Sequence, residues 1–192
     1  MSVRLLVIYT LVLFSCESGI NNNQVRGNSY FDLNHLLEEQ QNLLDSLSPE
    51  LIKIAFLSGQ PDTVRFSPDS TDWVRELDIF FELDLNSPVL RDQYSITEYD
   101  SVGGFKITIY QRKDQKKGGV QFLKMVEKER DILIIEGVYH EKSLLYDTYR
   151  RLQLQMAKDN GINRISNYSV IGRQKMIFQD TVRYKIVGKI VY

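Results

Sequence analysis

Two stretches of the chain repeat apolar residues at the spacing of an α-helix. The first follows an N-cap residue at Asp32 and ends before Pro49; its stripe is Leu33, Leu36, Leu37, Gln40, Leu44 and Leu47. The second begins at Asp69 or Ser70 and ends before Pro88; its stripe is Trp73, Leu77, Phe80, Phe81 and Asp84. Aspartate and serine cap helix N-termini well, and proline cannot continue a helix. The pattern therefore predicts two amphipathic helices in the N-terminal half.

Most of the remaining chain alternates apolar and polar residues with the period of two that is typical of strands exposed on one face. The predicted strands lie at 51–56, 63–66, 94–99, 104–112, 119–128, 131–140, 143–157, 162–178 and 182–191. Turn residues separate them, including the hairpin dipeptide Asn160-Gly161. We therefore expect a single α+β domain over 30–192, with an antiparallel sheet meander of about seven to nine strands and the two helices packed on it.

Several strands also indicate which side chains face the helices. Residues 132–135 are all apolar, which predicts a central strand or one that is covered on both faces. In 143–157 the even-numbered residues are mostly apolar, so we expect Leu144, Leu152 and Leu154 to face the core. The aromatic residues expected on the same face are Tyr146, Tyr168, Tyr184, Phe105 and Phe122. Such residues fill either a packed core or a ligand cavity.

A short repeat near the C-terminus pairs tyrosine with glycine. The segment 168–172, Tyr-Ser-Val-Ile-Gly, is similar to 184–188, Tyr-Lys-Ile-Val-Gly. Gly137 likewise comes two positions after an apolar residue, Ile135. Glycine on the inward face of a strand marks a bend or the close approach of another element. We expect a helix to cross these strands or the sheet to coil there, and a ligand wedged against the glycines is the alternative.

The N-terminal residues have the pattern of an export signal. Arg4 is the only charged residue among the first fifteen, and 5–14 is apolar apart from Thr10. Ten helical residues span about 15 Å, roughly half of the hydrocarbon core of a bilayer, which is too short for a stable transmembrane helix. The pattern therefore predicts a signal peptide over 1–15. Residues 17–29 are polar and rich in glycine and asparagine, which predicts a flexible tether.

The chain's single cysteine, Cys16, follows the apolar stretch directly. The segment Leu13-Phe14-Ser15-Cys16 resembles the lipobox of bacterial lipoproteins, although Phe14 is bulkier than the usual residue. The resemblance implies that Cys16 becomes the mature N-terminus and carries lipid, so that 16–29 is a lipidated tether. Several acyl chains give a lasting anchor where one chain holds only marginally. A buried free thiol is the alternative for this cysteine.

Four groups of residues resemble, in this order, a group of small uncharacterised lipoproteins from Bacteroidetes-type bacteria. They are Tyr30-Phe31-Asp32-Leu33, Trp73-x-x-Glu76-Leu77-x-x-Phe80 with Asp84-x-Asn86-x-Pro88, Leu145-Tyr146, and Tyr168-x-Val170-x-Gly172-x-Gln174-Lys175. The resemblance spans nearly the whole chain and implies an exported, lipid-anchored α+β protein, and it implies no reaction. We expect a place in the cell envelope at the outer membrane, on its periplasmic or its surface face.

The composition of the chain and its lack of known motifs mainly exclude classes of partner and of site. The formal net charge of -1 argues against nucleic acid as the main partner, because neutralising phosphates needs a basic surface. One cysteine excludes an internal disulfide, and the two histidines, His35 and His140, are too far apart in sequence to suggest a metal site. The chain has no nucleophile elbow and no phosphate loop. We therefore expect no catalytic residue, no metal and no cofactor, and a protein that is not an enzyme.

Three local clusters are the remaining candidates for chemistry. Two are acidic pairs, Glu82 with Asp84 and Glu98 with Asp100, which would have to meet across a cleft to act in hydrolysis. The third is a basic run at one predicted hairpin tip, formed by Arg112, Lys113, Lys116 and Lys117. On a tethered protein such a run could meet anionic head groups. Solvated surface is the simpler explanation of all three.

Two classes of function fit these observations. The first is a lipid-anchored binding or interaction module with an unknown ligand or envelope protein as its partner. The second is a carrier of an apolar ligand in a half-barrel cavity, with the helices as a lid. A filled helix–sheet interface with an exposed apolar patch favours the first, and a cavity of roughly 300 Å³ or more there favours the second. A hydrolase is the third and least favoured class.

Overall fold

The computed structural model describes residues 30–57 and 59–192, which form one antiparallel sheet of nine strands with two helices packed on it. The helices are α1 (Leu33–Leu47) and α2 (Ser70–Phe81), and a 3₁₀ turn follows at Pro88–Leu90. The strands are β1 (Glu50–Leu57), β2 (Gln60–Phe66), β3 (Tyr94–Ser101), β4 (Phe105–Arg112), β5 (Gly119–Lys128), β6 (Asp131–Lys142), β7 (Tyr146–Asp159), β8 (Ile162–Met176) and β9 (Val182–Val191). The predicted α+β class is confirmed.

The strand order across the sheet is β2-β1-β9-β8-β7-β6-β5-β4-β3. Strands β3 to β9 follow one another as hairpins, and the β1–β2 hairpin joins the sheet through β9, where Leu51 lies opposite Ile190. The apolar stretch 132–135 falls in β6, beside the middle strand β7, which confirms its predicted central position. Asn160 and Gly161 form the β7–β8 turn with φ of 50° and 83°, as this type of hairpin requires.

Local sequence determines both helix starts. The Asp32 carboxylate accepts a hydrogen bond from the His35 amide at 3.1 Å. Asp69 and Asp72 form a reciprocal capping box at the start of α2. Helix α1 is followed by Ser48 in the left-handed region, with φ of 46°, directly before Pro49. The predicted starts of both helices and the end of α1 are therefore confirmed. Neither helix in the described ranges is long and apolar enough to cross a membrane.

Helix α2 ends at Phe81, before the last residue of its predicted stripe, Asp84. The turn that follows buries Leu83 and Leu85 almost completely. The Asp84 carboxylate accepts a hydrogen bond from Asn34 Nδ2 at 3.1 Å and so links this turn to α1. The prediction of Asp84 as part of the helix is wrong, because the chain turns here to bury the two leucines.

The hydrophobic core lies between the helices and one face of the sheet. The fully buried helix residues are Leu33, Leu37, Leu44, Trp73, Leu77 and Phe80. They share one cluster with sheet residues that include Leu51, Leu123, Ile135, Leu152, Leu154, Ile165 and Val170. Each buried side chain of this size contributes about 1.5–3 kcal/mol. All residues of the cluster lie between Tyr30 and Ile190, so 30–192 contains the whole described core.

The opposite face of the sheet, called the free face below, is covered by neither helix. In β8 the helix-facing side chains include Tyr168 and Val170, which are buried, whereas Ile171 and Arg173 are exposed on the free face. The same alternation continues through β9, where Tyr184 faces the helices and Arg183 does not. The sheet is therefore packed on one side only.

Two of the five predicted inward aromatic residues lie on the wrong face. Tyr146, Tyr168 and Tyr184 face the helices as predicted. Phe105 and Phe122 lie on the free face, since a bulge next to Phe122 shifts the phase of β5 and Phe105 is out of phase with the buried residues of β4. A third prediction is also wrong: β7 begins only at Tyr146, which leaves Leu144 in the preceding turn and 95% exposed.

Strand pairing explains the tyrosine–glycine repeat. Strands β8 and β9 are antiparallel, with Tyr168 opposite Gly188 and Gly172 opposite Tyr184. Each ring lies over the glycine of the other strand, where a Cβ atom would overlap the ring. Tyrosine rings of the adjacent strand therefore make the close approach at these two glycines, which corrects the expectation of a crossing helix. At Gly137 the close approach is made by the turn after α2.

Tyr168 is held tightly in this arrangement. Its hydroxyl donates to the Glu76 carboxylate of α2, and its ring meets Phe80 edge to face at 6.0 Å between centroids. Glu76 is fixed in turn by Lys53 Nζ at 2.6 Å. Burial, reinforced by the Glu76 carboxylate, raises the pKa of Tyr168 far above its usual value. The hydroxyl is therefore a permanent donor, and the ring has no room to move away from Gly188.

Gly188→Ala should destabilise the fold by about 1–3 kcal/mol in urea denaturation, because the new methyl group overlaps a ring that cannot shift. Gly172→Ala is the matched control and should cost less, since Tyr184 is only half-buried. Equal or greater stability of Gly188→Ala would contradict the tight contact between Tyr168 and Gly188.

Candidate functional site

The predicted lipidation site, Cys16, lies outside the described residues, as do the predicted signal peptide and tether. The lipid anchor therefore stays a prediction from the sequence. The described residues offer a different feature, which the sequence did not reveal.

A groove of about 690 Å³ opens on the free face of the sheet. Strands β1, β7, β8 and β9 form its floor. Six large side chains of the free face line it, namely Phe56, Tyr149, Ile171, Arg173, Arg183 and Lys185, and the rest of the lining is formed by Gly59, Gly172, Thr181 and Tyr184. We call this feature the cationic groove, because three of these six side chains are positively charged and the other three are aromatic or aliphatic.

The pairing register of the strands brings the groove residues together in two adjacent rows. In the first row Tyr149, Arg173 and Arg183 lie directly opposite one another across β7, β8 and β9. In the second row Ile171 lies opposite Lys185, which lies opposite Phe56 of β1. Direct cross-strand neighbours have Cβ atoms about 4.5–5.5 Å apart. The groove is thus a continuous patch built from segments far apart in the sequence.

Each aromatic ring of the groove has a cation beside it. Arg173 Cζ lies 5.7 Å from the centroid of the Tyr149 ring, and Lys185 Nζ lies 5.8 Å from that of Phe56. A cation within about 6 Å of a ring face is attracted by the ring quadrupole. These contacts orient both cations over an apolar floor.

The charge of the groove is not neutralised within the described part of the chain. Arg173, Arg183 and Lys185 have no carboxylate within 4.0 Å there. Like charges directly opposite each other destabilise a sheet, and Arg173 faces Arg183 in this way. An anionic group bound between them would remove this repulsion. The geometry therefore suits a ligand with an acidic group and an apolar part.

A second, polar cleft of about 280 Å³ lies on the helix side of the sheet. Its centre is Glu141, which accepts hydrogen bonds from the hydroxyls of Tyr139 at 2.7 Å and Tyr146 at 2.8 Å. These hydrogen bonds lower the pKa of Glu141, and burial followed by the bond to Glu141 raises the pKa of Tyr139. Arg150 is paired with Glu82 beside them. The two carboxylates and two tyrosine hydroxyls of the cleft are thus bound to one another or to Arg150, whose Nε alone has no partner in the described part of the chain.

The acidic pairs considered in the sequence do not form a hydrolytic pair. Glu82 binds Arg150, whereas Asp84 accepts from the amide group of Asn34. Glu98 is paired with Lys106 at 3.2 Å on the edge hairpin. Three of the four carboxylates thus have their own local partner, and Asp100 lies opposite Lys106 in the register of the edge hairpin.

The two histidines are also separately paired. His35 lies 3.6 Å from Glu39 on the exposed side of α1, and His140 lies 3.1 Å from Asp147 between β6 and β7. Over the described ranges, no group of three or more histidine, cysteine or acidic side chains is placed to hold a metal ion.

The predicted basic run at the β4–β5 turn is only partly exposed. Arg112 is buried on the helix side, where its Nη1 donates to the Tyr94 hydroxyl at 3.1 Å and lies 3.3 Å from the Val120 carbonyl. The exposed part of the run is Lys113, Lys116 and Lys117. The prediction that Arg112 belongs to the exposed tip is wrong, because its place at the end of β4 directs its side chain towards the core.

Comparison of the chain with protein-family models, curated proteins and solved structures gives no match. Sequence reasoning missed the cationic groove because its residues come together only through the register of four strands. One local signal was present: Arg183 and Lys185 alternate with apolar residues in the last strand.

Arg183→Gln should leave the fold equally stable or stabilise it by about 0.2–1 kcal/mol at low salt, because it removes repulsion from Arg173. Urea denaturation measures this. Arg151→Gln is the control on the same face, and it should not stabilise, since Arg151 is paired with Glu136 at 3.2 Å. A clear loss of stability on Arg183→Gln would show that Arg183 serves the fold rather than a ligand.

Proposed function

We propose that the protein is an exported lipoprotein that is held in the cell envelope by lipid on Cys16 and acts as a binding module rather than an enzyme. The apolar stretch 5–14 and the lipobox-like segment before Cys16 support the anchor. The packed helix–sheet layer supports a binding surface outside the core, because fully buried side chains such as Trp73, Leu77 and Phe80 occupy the space under the helices.

The cationic groove is the proposed binding surface, and it is the observation that carries the proposal. Arg173 and Arg183 face each other without a carboxylate partner among the described residues, although this arrangement costs stability. A stability cost at an exposed site is typical of residues kept for function. The proposed ligand is an anionic amphiphile, whose acidic group meets the cations and whose apolar part lies on Phe56, Tyr149 and Ile171.

A carrier of a purely apolar ligand is the second candidate. The apolar half of the same groove favours it, because a volume of about 690 Å³ falls in the range of small-molecule sites. The two candidates differ in whether binding needs the positive charges. The groove replaces the half-barrel space under the helices as the proposed site of such a ligand.

The anchor is tested by metabolic labelling with palmitate. Cys16→Ala should abolish the label, because the thioether can form only on the cysteine sulfur. Ser18→Ala, a small change two positions along the chain, is the control and should keep it. Retained label on the Cys16→Ala chain would contradict the lipid anchor.

The groove is tested with two fluorescent probes of similar shape, the anion anilinonaphthalene sulfonate and the neutral phenylnaphthylamine. The anionic probe should bind more tightly, and Arg183→Gln with Lys185→Gln should weaken it by at least about tenfold. Lys124→Gln, on the same face in β5, is the control and should not change the affinity. Inorganic phosphate alone should compete poorly, because it lacks the apolar part.

Equal affinity for both probes, unchanged in the double variant, would favour the apolar carrier instead. Binding of neither probe, or binding lost equally in the Lys124 control, would contradict the groove as a ligand site.

A further inference from the structure

Two neighbouring hairpin turns expose large apolar side chains at one end of the sheet. The β6–β7 turn carries Leu144 and Leu145, which are 95% and 63% exposed. The β8–β9 turn carries Ile177 and Phe178, which are 49% and 98% exposed. We call these four side chains the apolar tip. Exposure of single apolar residues is ordinary, but four on two adjacent turns form a patch that favours contact with an apolar phase.

The two turns are ordered and joined to each other. The Ile177 amide donates to the Leu145 carbonyl at 2.8 Å, which ties one turn to the other. Within the β6–β7 turn, Ser143 Oγ accepts from the amides of Leu145 and Tyr146, each at 3.1 Å. The apolar tip is thus held in a fixed position rather than spread over separate loops.

The backbone conformation of Phe178 is a second indication that the apolar tip is functional. Its φ is 61°, in the left-handed region that bulky side chains rarely adopt. Such a conformation costs energy, and strain of this kind clusters at functional sites. No burial offsets the cost here, because the ring is almost entirely exposed.

Positive charges surround the apolar tip. At the base of the two turns, Asp147 of β7 lies opposite Lys142 of β6 on one side and opposite Lys175 of β8 on the other. The β4–β5 turn lies beside them, since Gly118 contacts Glu141, and it carries the exposed lysines 113, 116 and 117. These five lysines are exposed, whereas the exposed carboxylates at the same turns are Asp92, Asp114 and Asp180. The carboxylates of Glu141 and Asp147 are half-buried and already bound by Tyr139, Tyr146 and His140. An apolar centre with a basic rim matches the interface of an anionic bilayer.

The described chain begins at this same end of the sheet. The Tyr30 hydroxyl accepts a hydrogen bond from the amide of Tyr94 at 3.2 Å, and Tyr94 is the first residue of β3. Tyr94 lies opposite Arg112, the last residue of β4 before the basic turn. Cys16 is fourteen positions before Tyr30 in the sequence, so the chain that leads from the proposed anchor enters the described structure at this end of the sheet.

We propose that the apolar tip is a membrane-contact site, in which Leu144, Leu145, Ile177 and Phe178 enter the boundary between head groups and acyl chains of an anionic bilayer. The surrounding lysines meet the lipid phosphates. The contact itself needs no lipid on Cys16, and only the support from the position of Tyr30 rests on the proposed anchor. The contact adds to that anchor a second attachment that fixes the orientation of the sheet. Two weak membrane signals together hold a protein more firmly than either alone.

The test uses residues 30–192, which contain the whole described core and lack Cys16 and the apolar stretch 5–14. Phe178→Trp places a fluorescent reporter on the apolar tip, while the native Trp73 is fully buried. Vesicles contain phosphatidylglycerol and phosphatidylcholine with brominated acyl chains. The emission of the Phe178→Trp protein should shift to the blue and be quenched by the bromines.

Val102→Trp is the matched control. Val102 is 96% exposed in the β3–β4 turn, at the opposite end of the sheet, so its reporter should show neither shift nor quenching. In the native background, Leu144→Asp with Phe178→Asp should lower the vesicle partition coefficient at least about tenfold. Vesicles of phosphatidylcholine alone should bind more weakly than the anionic ones.

Three results would overturn the membrane contact. One is a reporter at position 178 that the brominated lipids do not quench. Another is equal quenching at positions 178 and 102. The third is a blue shift without vesicles that grows with protein concentration, which would assign the apolar tip to a second copy of the chain. Palmitate labelling of the full chain reports on Cys16 separately, so failure of one proposal is distinguishable from failure of the other.

Discussion

The burial of both helices against a single face of the sheet is the constraint on which the rest of the structure depends. Helix α2 contributes Trp73, Leu77 and Phe80 to this layer, and α1 contributes three fully buried leucines. With both helices on one side, the other side of a nine-stranded sheet meets water or a ligand directly. The cationic groove lies on that side, which separates the proposed binding surface from the core and allows its residues to change without disturbing the fold.

Strands β8 and β9 connect the two faces through one pairing register. The register that places Tyr168 over Gly188 on the helix side also places Arg173 opposite Arg183 on the free face. A slip by one residue would move every side chain to the other face and break both arrangements. The core contact between Tyr168 and Gly188 therefore holds two like charges together at the groove. The packing of the core thus offsets the repulsion between Arg173 and Arg183 and keeps the two side chains opposite each other.

Features that depend on residues close together in the sequence are predictable from it, whereas features that depend on distant strands are not. The starts of both helices, at Asp32 and Asp69, and the turn at Asn160-Gly161 depend on neighbours in the chain, and they were predicted correctly. The face of Phe122 is not predictable from alternation, because the bulge beside it depends on the partner strand as well as on its own sequence. The cationic groove needed the register of four strands, which alternation alone does not fix.

The most direct test of the two-faced sheet is the reactivity of single cysteines along β8 in a Cys16→Ser chain. Val170 is 3% exposed and Ile171 is 44% exposed, although they are neighbours in sequence. With a bulky maleimide, Ile171→Cys should react rapidly in the native protein, whereas Val170→Cys should react only after unfolding. Equal native-state rates at the two positions would contradict a sheet that is packed by helices on one face and open on the other.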